Sequence, residues 1–363
     1  MILFLFLQSN DYSDLERQYF HFIKEIIYKK LKYDYYDRME ENDLNEIFKK
    51  RNLQELKKYI SYLEKKYHKF VGDYIYLGED KVFKYEPRQR TDSGISSTGK
   101  YIPGSPSLSY CYYFNKKNLS HLPVQTYHEK DNDVCFYNNN IFISSYTIND
   151  DFLSILVNIS LSNVEYDTLV IDFIDNQGGN LSIALVSLYL LSGNGVITYD
   201  VYKRDTIYTI NNIILTTLPS IKYKVLIFIL NKNTASASEL ITFYMYNSHK
   251  EKIILINEDN RTVGKRTILE FIYIKEILKS ISTNSILNNI NNNILYYFKQ
   301  YRKYFYPFNF DAIEKYQNLI FVYVVGLLIY DSPFNKEEQE KIKEKVKSAT
   351  ARERIINILL FTP

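Results

Sequence analysis

Tryptophan is missing from the 363 residues, and cysteine (two), methionine (three), histidine (five), proline (eight) and glycine (eleven) are scarce. With so little glycine and proline the chain is neither collagen-like nor a low-complexity coil. A hydrophobic share of 46% beside 24% charged residues is that of a folded globular protein. Cys111 and Cys135 lack C-x-x-C spacing, so they suit no zinc site; they either pair in an oxidising compartment or serve as two small buried hydrophobes. An excess of one charge is missing too. Forty-five Lys and Arg stand against forty-two Asp and Glu, and a net +3 gives no electrostatic footprint for nucleic acid. Membrane-length apolar runs are also lacking: Leu319 to Tyr330 stops after twelve residues, short of the roughly 20 that span a bilayer, and reads as core. No transmembrane helix is expected.

The apolar start, Met1 to Leu7, has no basic residues before it and ends in Gln8-Ser9-Asn10. It reads as the stub of a signal peptide or as a buried N-terminal strand, and an exported location (medium, periplasm or cell envelope) is the favoured one. The length itself points to two units, or to one large α/β domain with an appendage.

What is present falls into three stretches. Residues 1–70 form a helical N-terminal unit: Leu15, Tyr19, Phe22, Ile23, Ile26 and Ile27 repeat at helical spacing, and a second stripe, Leu53, Leu56, Ile60, Leu63 and Tyr67, follows Asn52 with Glu55 three positions on. Lys29-Lys30 and Lys49-Lys50-Arg51 are the solvated faces of these helices. Residues 71–133 hold Tyr-rich strands and a Ser-, Gly- and Pro-rich linker, Thr91 to Ser109. From 134 to 363 strands alternate with helices. Val134 to Tyr137 and Asn140 to Tyr146 are strand-like, Asp150 to Leu161 is helical, and Leu169 to Ile174, Ile221 to Leu230 and Ile253 to Ile256 are buried strands. Helices over Leu181 to Leu191 and Ser236 to Tyr246 complete the rhythm. This alternation predicts an α/β fold with a mostly parallel sheet. Asn284 to Asn293 is a low-complexity insertion, and Ser332-Pro333 precedes a charged helix from about Asn335.

Ligands of open α/β sheets gather at the carboxyl ends of the strands, and two strand-to-helix turns qualify. Asp172-Phe173-Ile174-Asp175-Asn176-Gln177-Gly178-Gly179-Asn180 carries a glycine pair able to turn tightly and aim N–H groups outward. Asn233-Thr234-Ala235-Ser236-Ala237-Ser238-Glu239 sets Ser236 among small residues where a helix begins. Its Oγ would lie in the field of the helix N-terminus, as a nucleophile's would, although such a serine is commonly a plain cap.

Together the turns resemble those of the tail-specific, or C-terminal-processing, serine peptidases. That family's strand ending in Asp-Leu-Arg-x-Asn-x-Gly-Gly is matched by Asp172 to Gly179, with Ile174 in place of the arginine; its Thr/Ser-Ala-Ser-Ala-Ser-Glu by Thr234 to Glu239; and its Gly-x-x-Thr-x-Gly-Lys by the run ending Thr262-Val263-Gly264-Lys265. The resemblance extends from about Val134 to Lys265. It implies a crotonase/ClpP-like core and a serine endopeptidase that acts on unfolded or tail-exposed proteins through an acyl-enzyme, with protein or peptide substrates and no metal or organic cofactor. It makes Ser236 the nucleophile, Lys265 its base and Glu239 a group that positions Lys265. The oxyanion hole would come from the N–H of Ala237 with that of Gly178 or Gly179. Lys265 follows Ser236 by 29 positions, longer than the family's habit, and Arg261, four residues earlier, cannot serve as a base. His121 and His128 are reserve bases. The stretch from Val71 to His128 lacks a carboxylate-binding Gly loop, so no PDZ module is assigned. The alternative of another class is a peptide-binding pseudopeptidase of the same fold without an effective base. A homo-oligomer is left open.

Overall fold

The computed structural model describes residues 16–79, 125–277 and 316–341, apart from 18, 130, 131, 258, 317 and 337–339. The apolar start, the 91–109 linker, the Asn-rich insertion, His121, Cys111 and most of the charged C-terminal helix lie outside the described residues. The chain divides into one unit of residues 1–85 with 267–327 and another of 86–266 with 328–363.

In the first unit the amphipathic stripes form helices, as the spacing predicts. Helix α1 (residues 19–29) passes into a π-helical turn, Lys30–Asp34, and is followed by α2 (Glu41–Glu46) and α3 (Leu53–Tyr67). Asn52 caps α3 by accepting the Glu55 N–H, and Glu55 reaches back to the N–H of Arg51, one residue before the cap. The apolar run is strand β11 (Leu319–Ile329), with β1 (Ile75–Glu79) antiparallel on it and β10 (Thr267–Tyr273) antiparallel as well. Val322, Tyr323 and Val324 are buried in this arrangement, which explains an apolar run in a strand paired along both edges.

The second unit holds the predicted alternation. Its six-stranded sheet runs β2-β3-β4-β5-β8-β9, with β2 (Gln125–Glu129), β3 (Asn132–Tyr137), β4 (Asn140–Ser145), β5 (Glu165–Asp172), β8 (Lys222–Leu230) and β9 (Ile253–Asn257). From β4 to β9 every pairing is parallel; β2 and β3 add an antiparallel edge. Helices α4 (Asp150–Leu161), α5 (Leu181–Ser192) and α6 (Ala237–Ser248) connect or follow these strands, and α5 packs against both α4 and α6. Being covered by two helices, α5 is apolar nearly all round, with Ile183, Ala184, Leu185, Leu188, Leu190 and Leu191 buried. Phe152, Phe173 and Phe228, fully buried, stack in sequence at 5.7 and 5.9 Å between ring centres. Cys135 on β3 is disulfide-bonded.

The fold is therefore mixed α/β, and the expectation of a mostly parallel sheet needs correction. Parallel pairing is confined to β4, β5, β8 and β9; β1, β10 and β11 pair antiparallel, and β6 (Val196–Lys203) folds back on β7 (Thr206–Ile213) as an antiparallel hairpin. Parallel order requires a crossover helix between strands, and only the stretch from β4 to β9 carries them. No helix among the described residues is long and apolar enough to cross a membrane.

Candidate active site

The two glycine- and serine-bearing turns leave neighbouring strands, β5 and β8, at the same end of the sheet, so their meeting follows from the register Asp172 opposite Ile229. In the first, Asp172 accepts the Ile174 N–H at 2.9 Å, and Asn176, fully buried, joins three segments. Its carboxamide donates to the Ser145 carbonyl at the end of β4 and accepts the Gly178 N–H, both at 2.8 Å; its own carbonyl accepts the Ala235 N–H at 2.8 Å. The Gly178 carbonyl in turn accepts the Ile148 N–H at 2.8 Å and the Thr147 hydroxyl at 3.1 Å.

Both glycines are required by geometry. Gly178 has φ 91°, and a Cβ there would stand 2.6 Å from Ser236 Cβ and 2.9 Å from the Ala237 nitrogen. Gly179, at φ 155°, would place a Cβ 2.2 Å from the Ile148 carbonyl oxygen. The missing side chain of Gly178 thus leaves open the space in front of Ser236 and the first N–H of α6. The bridge to Ile148 uses the Gly178 carbonyl and the Asn180 N–H, which turns Gly179's own N–H to the opposite side. The Gly178 N–H is engaged by Asn176.

The second turn is tied to the first by a polar knot. Asp175, buried and at φ 59°, accepts from the side chains of Asn231 at 2.9 Å and Asn233 at 2.7 Å, while its N–H donates to Asn231. Thr234 donates to the Phe173 carbonyl at 2.8 Å and accepts the Asn231 N–H. Past this knot comes Ser236, with φ 61° and ψ −119°. The caps of α3, α4 and α5 are Asn52, Asn149 and Asn180; all three are extended and accept from helix N–H groups. An ordinary cap takes that extended conformation. Ser236 instead occupies a strained region that costs on the order of 1–3 kcal/mol, as does the serine of a nucleophile elbow between strand and helix. Ser238, two residues on, is fully buried and donates to the Ala235 carbonyl at 2.8 Å, which marks it as structural.

Glu239 lies one turn into α6, without solvent exposure. One carboxylate oxygen accepts the Ser236 N–H at 2.8 Å, and the other accepts the Thr262 hydroxyl at 2.5 Å and the Gly264 N–H at 2.8 Å. Burial pushes its carboxyl up to about 7, against the pull of these hydrogen bonds and of the Arg266 guanidinium. The loop bearing Thr262 and Gly264 is docked on the serine turn by the Val263 N–H, which donates to the Thr234 carbonyl at 2.9 Å. Lys265 comes next. Burial lowers its ammonium below the ordinary lysine range, and the charge of Glu239 opposes that shift. Its Nζ has no hydrogen bond or ion pair among the described residues. Arg261 is exposed. His128 lies on β2, in register with Asp133.

Ser236, Ala237, Gly178 and Glu239 are thus brought together, with Lys265 within electrostatic reach of Glu239. Sequence reasoning missed Asn176 and Asp175, although both sit inside the quoted turn; it also missed Thr262 as the link between loop and glutamate. Asn335, which bonds to Thr262 and Glu239, gave no signal, being far away in the chain. No group of three His, Cys, Asp or Glu residues able to hold a metal occurs among the described residues.

Among solved structures the chain is similar to a photosystem II D1 C-terminal processing protease, at 16% identity and a TM-score of 0.34, covering 53% of this chain and 38% of that one. It is also similar to a lipoprotein from Streptococcus agalactiae, at 12% identity and a TM-score of 0.46, covering 92% and 96%. The chain therefore spans well under half the length of the processing protease it matches. No curated protein sequence matches it. The model of peptidase family S41 matches residues 141–275, from β4 through both turns and the loop of Lys265.

Proposed function

We propose that the protein is a serine endopeptidase with Ser236 as nucleophile and Lys265 as base. The observation that carries this reading is the strained conformation of Ser236 at the start of α6, which a helix cap does not need. Neutral Lys265 takes the proton of Ser236 as Oγ adds to the peptide carbonyl. The oxyanion lies against the N–H groups of Ala237 and Gly179, in the space that Gly178 leaves open. The tetrahedral intermediate collapses, the lysine ammonium returns its proton to the leaving amine, and the acyl-enzyme is hydrolysed by a water that the same lysine deprotonates. Glu239 holds the Ser236 N–H and the lysine loop with one carboxylate, so nucleophile and base keep a common reference. The parallel strands β4, β5, β8 and β9 support a crotonase/ClpP-like core, and the substrates are unfolded or tail-exposed polypeptides.

A fluorophosphonate probe tests the assignment. Covalent labelling of the wild type, absent in Ser236→Ala, is the expected result. A folded wild type that stays unlabelled and leaves unfolded proteins intact would make the chain a peptide-binding pseudopeptidase.

A further inference from the structure

We infer that Asn335, outside the family-matched residues 141–275, is a positioning residue that locks the base-bearing loop onto Glu239. The segment after β11, Tyr330 to Asn335, belongs to the same unit as the site and returns to it. It is fastened at several points. The Tyr330 carbonyl accepts from Arg266 at 2.6 Å, and the Arg266 guanidinium lies 4.0 Å from the centre of the Tyr330 ring. The Asp331 carbonyl accepts from Asn247 on α6 at 2.8 Å, and Phe334 packs on Phe243 of the same helix.

At the end of this strap the Asn335 carboxamide grips Thr262 from both sides. Its oxygen accepts the Thr262 N–H at 3.2 Å and its nitrogen donates to the Thr262 hydroxyl at 2.6 Å; the nitrogen also lies 3.4 Å from Glu239 Oε1. The donors run in one direction. Asn335 donates to Thr262, and Thr262 donates to Glu239. Only an amide satisfies both ends, because an N–H must face the hydroxyl and a carbonyl must face the backbone N–H. The residue holds φ 52°, a left-handed conformation that asparagine tolerates better than most side chains. Thr262 stands three positions before Lys265, so the grip fixes the entry of the lysine loop just where Gly264 contributes the second bond to Glu239.

This inference rests on Lys265 being the base, and its test reads the lysine directly. The charged group acting on that amine is Glu239 on α6, which in turn stands in the field of Arg266, ahead of β10, and Tyr330, after β11. Asn335→Gly removes the carboxamide and relieves the left-handed backbone; Asn335→Asp keeps the shape and replaces the donor by an acceptor. In both folded variants kcat should fall by about 10- to 100-fold with KM held, as when reacting groups are misplaced by about an ångström. The Lys265 titration, followed by isotope-edited NMR of its side chain, should move upward in both: in the glycine variant because the loop opens to water, in the aspartate variant because a carboxylate is added. A Lys265 titration unchanged from wild type in both folded variants would overturn the inference. A wild type that fluorophosphonate does not label would instead overturn the peptidase reading, while the NMR comparison would still decide on Asn335.

Discussion

Two buried acids sit at the same end of the second unit's sheet, each at the centre of a hydrogen-bonded knot. Asp175 accepts from two asparagine side chains and ties the turn after β5 to the turn after β8. Glu239 accepts from Ser236, Thr262 and Gly264, but a strained serine and a desolvated lysine stand beside it, and an arginine shares its field. The first knot is made of neutral amide donors and holds shape. The second couples an acid's protonation to the backbone of Ser236 and to Lys265. Hydrogen-bond number therefore does not distinguish scaffold from chemistry here; strain and nearby titratable groups do.

The largest effect that would sharpen this contrast is expected at Lys265. Lys265→Ala and Lys265→Arg should each lower turnover by about 10²- to 10⁴-fold, since neither side chain accepts a proton at neutral pH. With Lys265 as the base, wild-type activity should rise with pH through the lowered lysine value, because a base must be the neutral amine. A rising limb near the histidine range, about 6.5, would hand the role to His128 or His121. Gly178→Ala comes next. The new methyl would stand 2.6 Å from Ser236 Cβ at φ 91°, so activity should fall about 100-fold and the midpoint of thermal unfolding should drop as well. Wild-type turnover in this variant would mean that the space before Ser236 is not where substrate binds.

Much of this arrangement was legible in the sequence because the alternation from β4 to β9 is local and strongly periodic. Asp150 to Leu161 emerged as a helix with the expected bounds, and the Gly-Gly and Ala-Ser-Ala-Ser-Glu turns lie against each other. The antiparallel partners of β11 were not legible. Strand β1 lies more than 200 positions away from β11, and nothing in the composition of either encodes such a pairing. The β6–β7 hairpin escaped for another reason. Its exposed Ile207 and Tyr208 break the alternation that marks a half-buried strand. Asn335 was invisible because one asparagine among many carries no pattern.

Glu239→Gln should have an intermediate effect, and its sign is definite. A carboxyl raised from 4.5 to about 7 on folding contributes stability that is complete below the unfolded value and disappears as pH rises through about 7. Wild-type stability should decline across pH 4.5 to 7 by up to about 3 kcal/mol from this group, and that slope should flatten in the glutamine variant when unfolding is followed by denaturant at several pH values. An unchanged slope would remove Glu239 from its special position. The smallest effect on chemistry is expected at the other acid. Asp175→Asn should cost about 1–3 kcal/mol of stability through unpaired amide groups, yet leave the pH dependence of kcat in place. A displaced pH profile there would erase the contrast between the two knots.

The strap that ends at Asn335 has a consequence in time. The ribosome delivers Ser145, Asn176, Ser236 and Lys265 before it delivers Asn335, and domains acquire structure as they emerge, N-terminal parts first. Because contacts so distant in sequence close late in folding, a nascent chain would carry its proposed nucleophile and base for some time without the clasp inferred to align them. On the peptidase reading, full competence would then arrive only with the segment after β11, which would spare neighbouring nascent polypeptides from an enzyme still under assembly.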